Sequence, residues 1–137
     1  MKKLILLLLV AIVLVGCQTK SVIGETVTVT GGSYQNITPA ELNTMLKNKD
    51  FVFINVHVPF AGNIAETDLS IAYDQIVNPT NLAQLPADKN AKIVLYCRSD
   101  RMSQMAAEDL AKLGYTNIWN LDGGMVGWEQ AGYEIEN

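Results

Sequence analysis

Basic residues are in the minority in this chain, and they form no long run. The 137 residues include 10 Lys and Arg against 14 Asp and Glu, which gives a formal net charge of −4 at pH 7. Nucleic-acid binding relies on many Lys and Arg that neutralise phosphates, so this balance excludes nucleic acid as a partner. The excess carboxylates also repel anionic lipid headgroups. Attachment to a membrane would therefore have to be covalent or hydrophobic.

Long apolar runs are also scarce, with one exception at the amino terminus. Leu4–Val15 is an unbroken apolar run of 12 residues behind Lys2 and Lys3. A bilayer-spanning helix needs roughly 20 apolar residues, whereas a basic start followed by a short apolar run is typical of a secretory signal. We predict that residues 1–16 are a signal peptide, and the remaining length suits one domain.

The end of this signal carries a recognisable motif. Leu14-Val15-Gly16-Cys17 resembles the lipobox of bacterial lipoproteins. The resemblance implies that Cys17 becomes the acylated first residue and anchors an exported protein on the periplasmic or outer-surface side of a bacterial membrane. A signal peptide with an unrelated cysteine and an uncleaved anchor are the alternatives. Because the following stretch is rich in Thr, Ser and Gly, we predict a tether over 17–33 and a folded domain over 34–137.

Cysteine is limited to two residues, Cys17 and Cys97. They do not form Cys-x-x-Cys, which excludes a thioredoxin-like dithiol. If Cys17 carries lipid, Cys97 has no internal disulfide partner, although exported proteins usually pair their cysteines. Cys97 is then either a reactive thiol or a buried small hydrophobe.

Hydrophobic spacing predicts strands that alternate with helices. Thr38-Pro39-Ala40-Glu41 has the form of a capping box with proline at the first helical position, which predicts a helix over 39–48. Residues 57–90 give weaker signals, with a short strand near 71–73 and a helical turn near 81–85. The alternation favours an α/β fold with a parallel sheet and helices on its faces. The remaining predicted elements are buried strands over 51–56, 93–96 and 117–121 and helices over 103–113 and 125–131.

The sequence after the predicted strand 93–96 combines a thiol with positive charge. Cys97 follows the apolar run 93–96, and a six-residue turn separates it from the predicted helix. In a parallel sheet the carboxyl end of a strand opens onto the ligand crevice, and such a turn directs backbone N–H groups toward a common centre. These donors, together with Arg98 and Arg101, favour thiolate over thiol. Asp100 opposes this effect.

Three motifs make the chain similar to a known family. Over about Ile37–Ile135 it resembles a single-domain rhodanese, a sulfurtransferase. The resemblance implies a rhodanese-like α/β fold, with a central parallel sheet and helices on both faces. The motifs are the loop Cys97-Arg98-Ser99-Asp100-Arg101-Met102-Ser103, the Gly-Gly signature Leu121-Asp122-Gly123-Gly124-Met125 with Trp128-Glu129 and Ala131-Gly132-Tyr133, and the early strand Phe53-Ile54-Asn55-Val56-His57.

The resemblance also implies a mechanism. Cys97 would take a sulfane sulfur from thiosulfate or a thiol persulfide, hold it as a persulfide, and pass it to a nucleophile such as cyanide or a protein thiol. No metal or organic cofactor is required. The residues implied to bind substrate are Arg98, Ser99, Asp100, Arg101, Met102 and Ser103.

The chain departs from the family pattern at two places. Many members have Asp and Arg where this chain has Asn55 and His57, so that ion pair is absent and the loop must be supported in another way. Many also have Gly-Asn-Arg in place of residues 100–102, so an acid stands beside the thiol and dianionic thiosulfate suits the pocket less well. A non-catalytic module that binds an anion or a partner protein is therefore the alternative function.

Several side chains have two interpretations. His57 is either a hydrogen-bonded residue at a strand end near the crevice or a proton-transfer group. Trp119 and Trp128 are interpreted as core aromatics, and Trp128 is also a candidate for lining the pocket. A Cys-dependent phosphatase or arsenate reductase would need Arg at the position of Ser103, so we exclude that class.

Overall fold

The computed structural model describes residues 21–137. The predicted signal peptide, Cys17 and the first residues of the predicted tether lie outside this range. Within the described part of the chain, no helix combines the length and apolar character needed to cross a bilayer.

The elements alternate much as predicted, with a central six-stranded sheet. The strands lie in the order β1-β2-β6-β5-β3-β4, and every neighbouring pair except β1 and β2 is parallel. The strands are β1 Glu25–Val29, β2 Gly32–Ile37, β3 Val52–Asn55, β4 Leu69–Ser70, β5 Ile93–Tyr96 and β6 Ile118–Leu121. The helices are α1 Pro39–Leu46, α2 Pro79–Leu82, α3 Arg101–Lys112 and α4 Gly124–Gln130, with a 3-10 turn at Tyr73–Gln75.

Side-chain alternation along β5 divides the core into two layers. Ile93 and Leu95 lie in a cluster with Leu110 of α3 on one face of the sheet. Val94 and Tyr96 lie on the other face, in a cluster that includes residues of α1 and α4. Because successive strand residues point to opposite faces, helices cover both sides of β5. The prediction of a rhodanese-like α/β fold with helices on both faces is confirmed in this arrangement.

The amino-terminal capping box forms as predicted. Thr38 Oγ1 accepts the Glu41 N–H at 3.2 Å, and Glu41 returns the contact by accepting the Thr38 N–H at 2.8 Å. These bonds satisfy donors that the first turn of a helix otherwise leaves free. They fix the start of α1 directly after β2.

The predicted tether is wrong for residues 25–33. Strand β1 and the start of β2 form an antiparallel hairpin in this segment, in register from Glu25 opposite Asn36 to Val29 opposite Gly32. Val27 and Val29 pack against the core cluster that includes α3. Alternating Thr and Val have high β-propensity, and this pattern outweighs the Thr, Ser and Gly content that favours a tether.

Candidate active site

Strand β5 places Cys97 at its carboxyl end, at the centre of the sheet. All four residues of β5 are buried, and Cys97 itself is 2% exposed. Its Sγ accepts the Asp100 N–H at 3.1 Å and lies 3.4 Å from Ser103 Oγ. The expected contact between the thiol and a loop amide is therefore present. The sulfur is buried but is not surrounded by apolar groups alone.

The loop is shorter than predicted, because α3 begins at Arg101 instead of 103. Only Arg98–Asp100 separate Cys97 from the helix, and Ser103 lies in the first helical turn. The Asp100 N–H stands at the amino-terminal end of a 12-residue helix, where it has no partner within the helix. It is therefore available to donate to Sγ. Cys97 Sγ therefore lies at the amino-terminal end of α3, which is the positive end of the helix dipole.

Ser103 is placed to respond to the charge on that sulfur. Its hydroxyl is fully buried and lies 2.9 Å from the Asp100 carbonyl oxygen and 3.4 Å from Cys97 Sγ. One hydroxyl proton serves one of these acceptors at a time. Because hydrogen bonds to ionised acceptors are the stronger ones, ionisation of Cys97 favours donation to sulfur.

The first residues of α4 hold the loop from behind. Met125 N–H donates to the Cys97 carbonyl at 2.9 Å, and Val126 N–H donates to the Arg98 carbonyl at 3.0 Å. Gly124 has φ +54, and a Cβ there would overlap the Cys97 carbonyl oxygen and lie 2.8 Å from the Arg98 carbonyl carbon. The Gly-Gly signature therefore permits the backbone of α4 to approach the cysteine loop closely.

The carboxylate of Asp100 points to α4 and does not line the cavity. Its Oδ1 accepts the Gly123 N–H at 2.8 Å. Burial is the main cause that raises the pKa of Asp100, while the bond from Gly123 lowers it. The Gly123 amide thus holds the Asp100 carboxylate away from the cavity, and substrate binding by Asp100 stays a prediction that concerns its backbone N–H.

A cavity of about 200 Å3 opens beside Cys97. Arg98 and Arg101 are exposed at this cavity and give it positive charge. Burial, and to a lesser degree the charge of Arg98, lowers the pKa of His57. Four of the predicted binding residues are thus brought together, while Asp100 and Ser103 contact the sulfur without lining the space. The lining residues are His57, Cys97, Arg98, Ser99, Arg101 and Met102.

Asn55 replaces the missing ion pair as the support of the segment that carries His57. It is 1% exposed at the end of β3. Its Oδ1 accepts the His57 N–H at 2.9 Å, and its Nδ2 donates to Gly62 O and Asn63 Oδ1, each at 2.9 Å. This role of Asn55 was not predicted from the sequence. The available signal was a polar residue inside an otherwise apolar run, followed by His57.

The tryptophans belong to the core and not to the cavity. Trp128 is 5% exposed, donates from Nε1 to the Glu134 carbonyl at 3.0 Å, and stacks on Tyr133 with ring centroids 4.3 Å apart. The prediction that Trp128 lines the pocket is wrong, since α4 directs this ring into the cluster opposite α3. Trp119 packs against the same cluster.

Comparison with known proteins identifies the family. The model of the rhodanese-like domain matches residues 38–131, and the chain belongs to this family. The match begins just after β2 and spans α1 to α4, so it includes the cysteine loop and the Gly-Gly turn.

Individual relatives agree with this assignment. The chain is 31% identical over 98 residues to an uncharacterized protein of Synechocystis, a match that covers 70% of this chain and 52% of the relative. It is 29% identical over 91 residues to the tRNA uridine(34) hydroxylase of Escherichia coli, covering 64% of this chain and 26% of the enzyme. The chain therefore spans about half or less of these curated relatives.

Solved structures of similar size share the fold. A rhodanese-related protein from Thermoplasma volcanium superposes with a TM-score of 0.62 at 28% identity, covering 74% of this chain and 97% of that one. A rhodanese-like domain protein from Staphylococcus aureus gives a TM-score of 0.59 at 28% identity, covering 74% and 98%.

Proposed function

We propose that this protein is a sulfurtransferase that carries sulfur as a persulfide on Cys97. The observation that supports it most directly is the position of Cys97 Sγ, which accepts a loop amide at 3.1 Å next to a cavity containing two arginines. A thiolate held in this way is the nucleophile that covalent sulfur transfer requires.

In the first half-reaction the Cys97 thiolate attacks the sulfane sulfur of the donor. A new S–S bond forms, the donor's S–S bond breaks, and sulfite leaves if the donor is thiosulfate, or a thiol if it is a persulfide. In the second half-reaction an acceptor such as cyanide or a thiolate attacks the terminal sulfur and releases the Cys97 thiolate. The Asp100 amide and Ser103 hydroxyl stabilise the negative charge on Sγ in the free thiolate, which attacks in the first half-reaction and is released in the second.

The cavity favours small donors. Its volume of about 200 Å3 is below the roughly 300–1,000 Å3 of pockets that enclose larger organic ligands. Arg98 and Arg101 supply fixed positive charge for an anionic donor group. A small sulfur-containing anion, or the persulfide end of a larger thiol, fits this description. The proposed transfer of sulfur requires no metal or organic cofactor.

Intact mass spectrometry tests the proposal. After incubation with thiosulfate or glutathione persulfide, the protein should gain the mass of one sulfur atom, located on the Cys97 peptide and removed by cyanide. Cys97→Ser is the matched control and should gain nothing. A wild-type protein that forms no adduct with either donor contradicts the proposal.

A module that binds an anion or a partner protein without sulfur transfer is the second candidate. The 2% exposure of Cys97 supports it, because incoming donors have little direct access to the sulfur. Binding of sulfite or thiosulfate by Cys97→Ser as tightly as by the wild-type protein, together with the absence of any persulfide, would favour this candidate.

We also propose that the protein is exported and anchored to a bacterial membrane by lipid on Cys17. Leu14-Val15-Gly16-Cys17 behind the apolar run supports this. Cys17→Ser should abolish incorporation of a labelled fatty acid and release the protein from membrane fractions. If Cys17→Ser still incorporates the fatty acid and remains in the membrane fraction, the anchor is not lipid on Cys17.

A further inference from the structure

Asp100 occupies a backbone conformation that amino acids with side chains seldom adopt. Its φ is +118 and its ψ is −51. Such a conformation persists in a non-glycine residue only where the surroundings hold it. In this loop the strained residue is the one whose N–H reaches Cys97 Sγ. The strain therefore falls at the peptide that contacts the reactive atom.

The carboxylate of Asp100 has partners outside its own loop that account for this conformation, the Gly123 amide and the Asn120 side chain. Its Oδ1 accepts the Gly123 N–H at 2.8 Å, across 23 positions of the sequence. The side chain does not cap α3, although Asp100 stands at the N-cap. The usual local use of an N-terminal aspartate is thus replaced by a long-range contact with α4.

This contact completes the attachment of the loop to α4. The carbonyls of Cys97 and Arg98 accept the amides of Met125 and Val126 at 2.9 and 3.0 Å. Those bonds fix the first two peptides after β5. The third attachment is made by a side chain, the Asp100 carboxylate on Gly123. It fixes the residue that donates to sulfur.

We propose that Asp100 is a positioning residue, whose carboxylate bond to Gly123 holds the Asp100 N–H on the sulfur of Cys97. This inference rests on the proposed function, because it assigns a residue that prepares the same thiol. The Asp100 carbonyl is held by α3 itself, since it accepts the Gln104 N–H at 2.9 Å as well as the Ser103 hydroxyl at 2.9 Å. The carboxylate therefore acts on the Asp100 amide, while α3 positions Ser103.

The test compares three replacements of Asp100. Asp100→Asn keeps an oxygen acceptor for Gly123 and tolerates positive φ. Asp100→Gly adopts this φ without strain but removes the acceptor. Asp100→Ala removes the acceptor and keeps the strain. Asp122→Asn is the control for the loss of one nearby negative charge, because Asp122 is exposed and its carboxylate raises the pKa of Asp100 through its charge.

The measurement is the rate of iodoacetamide alkylation of the Cys97 peptide across pH, followed by mass spectrometry. We expect Asp100→Asn and Asp122→Asn to stay within about threefold of wild type. Asp100→Gly and Asp100→Ala should react at least about tenfold more slowly near neutral pH, consistent with the loss of a hydrogen bond to a charged acceptor. An Asp100→Gly rate equal to wild type, or an Asp100→Asn rate as low as that of Asp100→Ala, overturns the inference.

This design separates the inference from the proposed function. Alkylation needs no sulfur donor, so it reports the state of the thiol even if no persulfide forms. Persulfide formation by the wild type together with normal alkylation of Asp100→Gly would reject the role of Asp100 alone. Because Asp100→Gly relieves the backbone strain, it remains informative if Asp100→Ala fails to fold. Urea denaturation of each variant establishes that the compared proteins are folded.

Discussion

Removal of the Asn55 side chain should destabilise the fold through three identifiable hydrogen bonds. Asn55→Ala deletes the acceptor of the His57 N–H and the donor to Gly62 O and Asn63 Oδ1, all at 2.9 Å. Asn55 is 1% exposed, so water has little access to the groups left behind. At about 0.5–1.5 kcal/mol for each bond, the expected loss is about 3 kcal/mol of unfolding free energy.

Urea denaturation measures this loss directly. The midpoint should fall while the dependence of the free energy on urea stays unchanged, because the surface exposed on unfolding is nearly the same. Asn48→Ala is the matched control, since Asn48 is exposed after α1, and its effect should stay within about 0.5 kcal/mol.

Asn55→Asp distinguishes hydrogen bonding from packing, because it keeps the shape of the side chain. Its carboxylate still accepts the His57 N–H but meets the oxygens of Gly62 and Asn63 as a second acceptor. We expect a loss at pH 7 at least as large as that of Asn55→Ala, and a smaller one at acidic pH where the carboxyl regains a donor. A loss below about 1 kcal/mol for Asn55→Ala would refute the assignment of Asn55 as the support of this segment.

Three further predictions concern the site. Burial and the charge of Arg98 lower the pKa of His57, so NMR titration of the only histidine should give a midpoint below 6.5 that rises in Arg98→Ala; a midpoint above 6.5 in the wild type contradicts this. Gly124→Ala should strongly destabilise the protein because its Cβ would lie 2.8 Å from the Arg98 backbone, whereas Gly114→Ala, with open space around it, should cost only about 1 kcal/mol of positive-φ strain; equal losses in thermal denaturation would argue against the close approach. Burial raises the pKa of Asp100 in the folded protein. The stability that Asp100 contributes is therefore complete at a pH below its ordinary pKa of 3.8, and it is lost as the pH rises through the folded-state pKa. Asp100→Asn should therefore gain stability relative to wild type as pH rises from about 3 to 6, and urea denaturation over that range showing the opposite trend would contradict the assignment.

Local patterns in the sequence determined most of the elements. The apolar run 93–96 forms β5 at the predicted positions, and the capping box at Thr38 starts α1 at Pro39. These features depend on neighbours within a few residues, where propensity, burial pattern and side-chain capping act directly. The position of Cys97 after a central buried strand follows from the same local information.

Two boundaries predicted from the sequence differ from those in the structure, the start of α3 and the start of the folded domain. Helix α3 starts at Arg101 because Asp100 adopts φ +118 beside it, and no residue preference predicts that conformation for aspartate. Residues 25–33 form β1 and the turn into β2, since pairing and packing against the core outweigh a composition typical of tethers.

The details of the candidate site were decided by tertiary structure. The Asp100 carboxylate accepts the N–H of Gly123, 23 positions further along the chain. Asn55 donates to Gly62 and Asn63, in a segment whose path cannot be predicted from hydrophobic periodicity. A sequence pattern specifies which face of an element is apolar, but not which distant amide a buried polar group will find. That choice is made only when β5, α3 and α4 pack together, because each buried donor and acceptor must then be satisfied by whatever the fold has brought within reach.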